Sequence, residues 1–290
     1  MISVITPVYN GERFIEACIR SVIGQDCSDI EHIIVDGCSQ DRTTETIEHY
    51  AEKHPHILWI SEKDEGQSDA LNKGINMAQG DIIAILNVDD YYEPGVLNKV
   101  SNIFKSLEEP GLLVGNCNVW DFNGNFITLN KPEKLKLNQL LLGWNVNPLP
   151  CNPSAYFYHT SLHKITGLYD VQDSYTMDLD FIFKAIQIAN IKYVNETFGN
   201  FVQTEGSKTF SGNKDGLSEQ RIETIIKRYR KNLPVIEQLI SAFLYQFYKH
   251  KINYSNPKST VKQRSPASPR SRGSGAAGFH GSNRIAILDR

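Results

Sequence analysis

The sequence predicts an α/β protein with a mainly parallel central sheet covered by helices on both faces. Three observations predict it. Strand-like and helix-like patterns alternate at a pitch of roughly 20–30 residues through the first hundred residues, as βα units do. The strand segments are near-continuous runs of β-branched residues, as expected where both faces of a strand are covered. Finally, four of these strands are followed at once by polar clusters, and ligands bind such sheets beyond the carboxyl ends of the strands.

Residues 2–7 (ISVITP) read as the first buried strand, and Val8, Tyr9, Asn10 and Gly11 as a loop. A helix follows over 12–24, where Phe14, Ile15, Cys18, Ile19, Val22 and Ile23 recur at amphipathic spacing. A strand over 30–35 ends at Asp36; the loop 37–42 leads into a helix over 43–53. The third strand is expected over 56–61, followed by a charged segment, 62–66, and a helix over 67–79. The fourth, 81–86, stops abruptly at Asn87, Val88, Asp89 and Asp90, before a helix over 94–107. In the second half, Asn123-Gly124 between apolar runs at 112–121 and 126–129 is a hairpin signal. Residues 131–144 read as partly helical, 145–153 as a loop, 154–158 as a strand and 169–176 as a polar loop. A helix is expected over 177–190 with Asp178 in its first turn, and a strand over 191–195. Residues 201–216 show no pattern and read as a lid over the site.

Two helices are expected beyond that, 217–232 and 234–248. The second carries a broad apolar face of Val235, Ile236, Leu239, Ile240, Phe243, Leu244 and Phe247, which we expect to pack on the main domain; peripheral membrane contact through 234–251 is the second reading. The division is therefore a catalytic α/β domain over 1–216, a helical extension over 217–254, and a Ser/Pro/Arg/Gly-rich tail over 255–290. That tail cannot build a core and reads as a disordered or read-through extension without functional role.

The formal charge of −3 hides an asymmetry. Residues 255–290 carry seven basic residues and one acidic, whereas 1–254 carry 23 basic and 32 acidic. An acidic body argues against nucleic-acid binding. The five cysteines are odd in number and form no CxxC pair, so they read as reduced and packed, not as a disulfide framework or a zinc site. With neither a signal-type segment nor an apolar run of about 18 residues, a cytoplasmic protein is the expectation.

Adjacent carboxylates at the end of a buried strand repel each other and are costly to desolvate unless a cation compensates them. A divalent metal ion would do so at Asp89 and Asp90; a solvated turn that caps the next helix is the alternative. The convergence of 6–10, Asp36, 62–66 and 87–90 on one sheet edge favours a functional role.

Five segments, in order, carry a resemblance: Ser3-Val4-Ile5-Thr6-Pro7-Val8-Tyr9-Asn10; Ile34-Val35-Asp36-Gly37-Cys38-Ser39-Gln40-Asp41; Asp69-Ala70-Leu71-Asn72-Lys73-Gly74; Asn87-Val88-Asp89; and Gly167-Leu168-Tyr169-Asp170 with Met177-Asp178-Leu179-Asp180. Together they resemble the family 2 glycosyltransferases, which have the GT-A nucleotide-diphospho-sugar transferase fold, over about residues 2–200. The resemblance implies an inverting, metal-dependent hexosyltransferase in polysaccharide or cell-envelope glycan synthesis. A nucleotide-sugar donor, expected as a UDP-sugar, would pass its sugar to a hydroxyl of a glycan or lipid-linked acceptor at the inner face of the membrane.

By the same resemblance, Thr6, Pro7, Val8 and Tyr9 would line the nucleotide, and Asp36 would accept a hydrogen bond from the base. Asp69 and Asn72 would contact the nucleotide or buttress the loops, and Asn87 would meet a ribose hydroxyl. Asp89 would hold Mn²⁺ or Mg²⁺, and Asp90 would orient the loop or the sugar. Asp178 would be the general base, with Asp180 in reserve. Trp144, Asn152 and Ser154 are candidates for acceptor contact; His159 and His163 are read as structural. The chain departs from the family pattern in three places. Asn87 replaces the first Asp of the metal motif. Leu71 stands where an Arg is frequent, a loss Lys73 could make good. Cys38 replaces an acidic or small residue. Two competing functions are a metal-dependent nucleotidyltransferase and a catalytically silent sugar-binding scaffold. The first calls for a Gly-rich basic phosphate loop where Pro7-Val8-Tyr9-Asn10-Gly11 stands; the second does not need Asp89 and Asp178. The oligomeric state stays open.

Overall fold

The computed structural model describes residues 1–144, 146–150, 152–173, 175–204 and 217–255, with side chains through 248. Most of the segment read as a lid, 205–216, and the tail 256–290 lie outside the described residues. The described strands form one mixed sheet: β1 (Ile2–Val8), β2 (Ile30–Asp36), β3 (Ile57–Ser61), β4 (Ile82–Ile85), β5 (Tyr91–Tyr92), β6 (Gly111–Trp120), β7 (Phe126–Asn130), β8 (Tyr156–His159) and β9 (Asn190–Val202). Their order is β3-β2-β1-β4-β8-β6-β9-β5, with β7 hairpinned onto β6. Strands β3, β2, β1 and β4 are parallel, β8 runs antiparallel between β4 and β6, and β9 is parallel to β6.

The helices are α1 (Ile15–Ile23), α2 (Thr43–Ala51), α3 (Gln67–Met77), α4 (Val96–Phe104), α5 (Leu137–Leu140), α6 (Ser161–Thr166), α7 (Met177–Ala185), α8 (Leu217–Lys231) and α9 (Val235–Ser255). They cover the sheet on two faces, as its period of two requires. Ile5, Ile33, Ile83, Ile85 and Tyr158 point to one face, against α3, α7 and α8. Ile2, Val4, Ile82, Ala84 and Phe157 point to the other, against α1 and α4. This two-sided burial is why the strands read as unbroken apolar runs.

The register matters most for function. Val8 pairs with Asp36, Asp36 with Ser61, and Ile5 with Ile85. The loops after β1, β2, β3 and β4 therefore leave the sheet at one level, and the four polar clusters of the sequence meet there.

Several elements were not legible in advance. Tyr91–Tyr92 forms a two-residue strand on the edge of β9. Strand β9 runs for 13 residues, well beyond the expected 191–195. It passes Pro153–Ala155, a short 3₁₀ turn, so closely that a Cβ on Gly199 would overlap the Ser154 backbone. That turn replaces the first two residues of the expected 154–158 strand. Asn123-Gly124 does make the hairpin turn, with Gly124 in the left-handed region (φ 79°) and Asp121 Oδ1 accepting from the Asn123 and Asn125 amides at 2.9 and 2.8 Å.

Helix α8 packs on the main body through Ile225 and Ile226. The expectation that the apolar face of the last helix packs there too is corrected: Val235, Ile236, Leu239, Ile240, Phe243 and Phe247 are 53–73% exposed. Helix α9 docks instead through Ser241, which is buried, and Tyr245, whose hydroxyl donates to Glu223 at 3.0 Å. Among the described residues, no helix is long and apolar enough to cross a membrane.

Helix α3 lies so close to β1 that a Cβ on Gly74 would overlap Cγ2 of Ile5, in the middle of the core. Overpacking of this kind costs about 1–3 kcal/mol. We expect Gly74→Ala to lower the unfolding free energy by about that amount in urea titration, with an unchanged m-value.

Candidate functional site

A cleft of about 1030 Å³ opens at the carboxyl ends of β1 and β4. One wall is built by Pro7, Val8, Tyr9, Asn87, Val88 and Asp89, and the facing wall by Tyr175, Met177, Asp178 and Leu179. The distal side is closed by Val119, Ile127, Trp144, Phe201, Ile222 and Tyr245. Residues from four of the five segments singled out in the sequence thus share one cavity, and the segment 34–41 lies behind its lining.

The candidates divide into those that face this cavity and those that hold it in place. Pro7, Val8, Tyr9, Asn87, Asp89 and Asp178 line it. Tyr9 stands on the rim, 63% exposed, available to cover a flat ring. Thr6, Asp36, Asn72 and Asp90 are buried behind the wall. Thr6 Oγ1 lies 3.0 Å from His32 Nε2, and burial pushes the His32 imidazole down to about 3, so it stays neutral. Asp36 accepts from the Ser39 amide (3.0 Å), the Ser39 hydroxyl and the Ser61 hydroxyl (2.6 Å). Asn72 donates from Nδ2 to the Tyr169 carbonyl (2.8 Å) and accepts at Oδ1 from the Tyr169 amide (2.9 Å). Its amide is therefore a clamp between α3 and the segment before α7. Asp69 pairs with Lys73 at 3.3 Å and accepts from the Glu65 amide at 3.1 Å.

The idea that Lys73 makes good the missing Arg is corrected. Its ammonium is held by Glu62 (3.0 Å), Asp69 and the Lys63 carbonyl (2.8 Å) and does not line the cleft, while Leu71 is core. Asp180 is likewise removed as a reserve base. It is tied by Lys184 (2.7 Å) within α7 and by Arg228 and the Tyr229 hydroxyl (2.9 Å), the latter two binding α7 to α8. Cys38 takes a left-handed backbone, φ 63°, in the turn after Asp36. His159 accepts from the Gly111 amide at Nδ1 (2.9 Å) and His163 Nε2 meets the Tyr158 hydroxyl (2.9 Å), both structural roles. Of the acceptor candidates, Trp144 and Asn152 reach the cleft, whereas Ser154 is buried beneath it.

The two adjacent carboxylates have different environments. Asp90 is 2% exposed. It accepts from Asn152 Nδ2 (2.7 Å), Asn87 Nδ2 (3.0 Å) and the Val202 amide (3.0 Å). Asp89 faces the cleft and accepts from the Thr204 hydroxyl at 2.7 Å. Burial pushes both carboxyls upward, and the charge of Asp89 adds to the rise at Asp90. Among the described residues, no ion pair reaches either one. An uncompensated, partly buried carboxylate aimed into a cavity favours a cation beside it. Asp89 fits a single-carboxylate magnesium or manganese site, in which substrate phosphates and water supply the other ligands. No cluster of three or more His, Cys, Asp or Glu occurs among the described residues. Asn87 is committed at both ends, since its Oδ1 accepts from Gln67 Nε2 at 3.0 Å.

The family model for glycosyl transferase family 2 matches residues 3–164, more than half of the chain. The chain belongs to glycosyl transferase family 2. It is 33% identical to the Bacillus subtilis glycosyltransferase EpsJ over 141 residues, 49% of this chain and 40% of that protein. The chain spans 36–64% of the length of the first three curated relatives it matches. The fold is shared with Staphylococcus aureus TarS 1–349 in complex with UDP-GlcNAc, at a TM-score of 0.62 and 17% identity, covering 90% of this chain and 76% of that one. It is also shared with the mannosyltransferase PcManGT of Pyrobaculum calidifontis in complex with GDP-Man and Mn²⁺, at a TM-score of 0.56 and 16% identity, covering 90% and 76%. The sheet, its helices and their order are those of the GT-A fold.

Sequence reasoning missed several residues of this family 2 cleft. Gln67 positions Asn87, Thr204 positions Asp89, and Arg221 lies 3.4 Å over the Tyr175 ring. Gln67 carried a weak signal, as the residue that opens α3. Thr204 and Arg221 carried none, because their partners lie 115 and 46 positions away.

Replacing Asp90 by Ala leaves three donors without an acceptor. Unpaired buried groups of this kind cost about 1–3 kcal/mol each before relaxation. We expect Asp90→Ala to lose about 2–4 kcal/mol in urea unfolding, while Asp69→Ala, at the exposed margin, loses under about 1 kcal/mol.

Proposed function

We propose that this chain is an inverting glycosyltransferase that moves a hexosyl group from a nucleotide-diphosphate sugar, a UDP-sugar first among the candidates, to a hydroxyl of a glycan or lipid-linked acceptor. The observation that carries the proposal is one cavity lined by two carboxylates from separate elements, Asp89 after β4 and Asp178 on α7. Its volume of about 1030 Å³ is at the upper end of the range of ligand pockets, which supports a ligand as large as a nucleotide sugar. TarS was solved with UDP-GlcNAc and PcManGT with GDP-Man and Mn²⁺, which supports a nucleotide-sugar ligand for this fold.

In this proposal Tyr9 covers the base, and Pro7 and Val8 give it an apolar bed. Asp36, fixed by Ser39 and Ser61, holds the loop behind that bed. Thr6, Asn72 and Asp69 hold that loop and its neighbours. Asn87, held by Gln67 and Asp90, shapes the lining beside the ribose, and Asp89 would hold Mn²⁺ or Mg²⁺ at the diphosphate. A divalent cation supplies charge neutralisation for the departing nucleoside diphosphate.

Asp178 stands in the amino-terminal turn of α7. The Tyr156 hydroxyl lies 3.4 Å from its Oδ1 and limits its rotation. As general base, Asp178 takes the acceptor hydroxyl proton while that oxygen bonds to the anomeric carbon. The bond from the anomeric carbon to the diphosphate oxygen breaks, and its electron pair leaves with the nucleoside diphosphate. Attack opposite the leaving group inverts the centre. The apolar distal wall of Val119, Ile127, Phe201 and Ile222 suits an acceptor with a hydrocarbon part.

Donor identity and cation use are tested together by thermal shift with UDP- and GDP-sugars, with and without Mn²⁺. A ligand at a hundred times its Kd adds about 2.7 kcal/mol to stability. We expect a large shift only with donor and Mn²⁺ combined, and its loss in Asp89→Asn. Absence of a shift with every donor would defeat the proposal. For the base, Asp178→Asn is expected to keep the donor-induced shift and to lower transfer by roughly 10²–10⁴-fold. Transfer at the wild-type rate would remove Asp178 from the role.

A further inference from the structure

Helix α9 presents an amphipathic face that nothing in the fold explains. Taking Val235 as zero and about 100° per residue, the exposed side chains of Val235, Ile236, Leu239, Ile240, Phe243 and Phe247 fall between about 0° and 140°. On the same scale Ser241 and Tyr245, which meet the body, fall near about 240° and 280°. The apolar stripe therefore points directly away from the protein, and helix and body are already docked without it. The two phenylalanines are 70% and 55% exposed.

We infer that this stripe is a docking surface for an anionic phospholipid bilayer, on which α9 lies parallel to the membrane plane. Three observations select this occupant. The stripe is wider than the narrow two-position seam that a helix offers to a single partner helix. Lys249 and Lys251 occupy helix positions near about 320° and 160°, one on each border of the stripe, so the sequence puts positive charge at both of its edges. From residue 238 to 255 the sequence contains no Asp or Glu, so nothing on this stretch repels an anionic surface. The helix lies on the bilayer and does not span it, since no described helix is apolar enough to cross.

The orientation has a consequence for the cleft. Tyr245 lines the cavity from the docked side of the same helix, so the cleft sits about one helix diameter, roughly 10 Å, from the lipid surface. That spacing suits an acceptor whose hydrocarbon stays in the bilayer while its hydroxyl enters the cavity. This consequence rests on the transferase proposal; the docking surface does not.

The test is co-sedimentation of the full chain, without donor, with vesicles of phosphatidylcholine alone and of phosphatidylcholine mixed with phosphatidylglycerol. Binding is expected on the mixed vesicles, weakening as salt is raised. The double variant Leu239→Glu/Phe243→Glu is expected to bind at least about tenfold more weakly. Its thermal unfolding should match wild type, because both side chains are exposed. Lys249→Gln/Lys251→Gln is expected to reduce the preference for phosphatidylglycerol. Full binding by the Leu239→Glu/Phe243→Glu variant overturns the inference, and so does failure of the wild-type chain to bind mixed vesicles. Light scattering distinguishes the competing occupant: a stable dimer that Phe243→Glu dissolves would assign the stripe to a second copy of the chain.

Discussion

The buried carboxylate of Asp90 joins three distant parts of the chain. Its oxygens accept from Asn87 in its own loop, from Asn152 in the segment before β8, and from the Val202 amide at the end of β9. A charge taken out of water must be solvated by the protein, and here fixed amide donors do it. The arrangement fixes the loop after β4 and keeps Asp89 facing the cavity. The adjacent carboxylates recognised in the sequence therefore lie at different depths, Asp90 as an internal tie and Asp89 half-buried on the lining of the cleft.

The same division runs through the rest of the site. Asp36, Asn72, Thr6 and Asn87 spend their polar atoms on neighbouring elements, whereas Tyr9, Asp89 and Asp178 line the cavity. Asp180, two residues from Asp178, points to α8 and binds Arg228 and Tyr229. Positions two apart on a helix face different directions, so a pair that looks equivalent in sequence is split between a cleft-lining carboxylate, Asp178, and a brace, Asp180. Helix α8, held by that brace and by Ile225 and Ile226, becomes a wall of the cleft.

The C-terminal helices show where pattern alone misleads. An amphipathic helix has one apolar face, and burial against the body is the usual reason for it. In α9 the body instead uses a narrow strip around Ser241 and Tyr245, and the apolar face is left outward. Periodicity records that a face exists; it carries no information about which surface covers it.

The sequence by itself determined the strands β1 to β4, the helices between them, the hairpin at Asn123-Gly124 and the level at which the polar loops emerge. These follow from local patterns: β-branched runs, 3.6-residue spacing and turn residues whose preferences act over a few positions. It also determined the family, since the motifs that carry it sit at strand ends. The packing of the layers decided the short strand at Tyr91–Tyr92, the full length of β9, the burial of Asp90 behind the cleft-lining Asp89, and the places of Gln67, Thr204 and Arg221. Each of these depends on a partner twenty to more than a hundred residues away. Contacts of that range are fixed by how the layers pack, and no local preference encodes them.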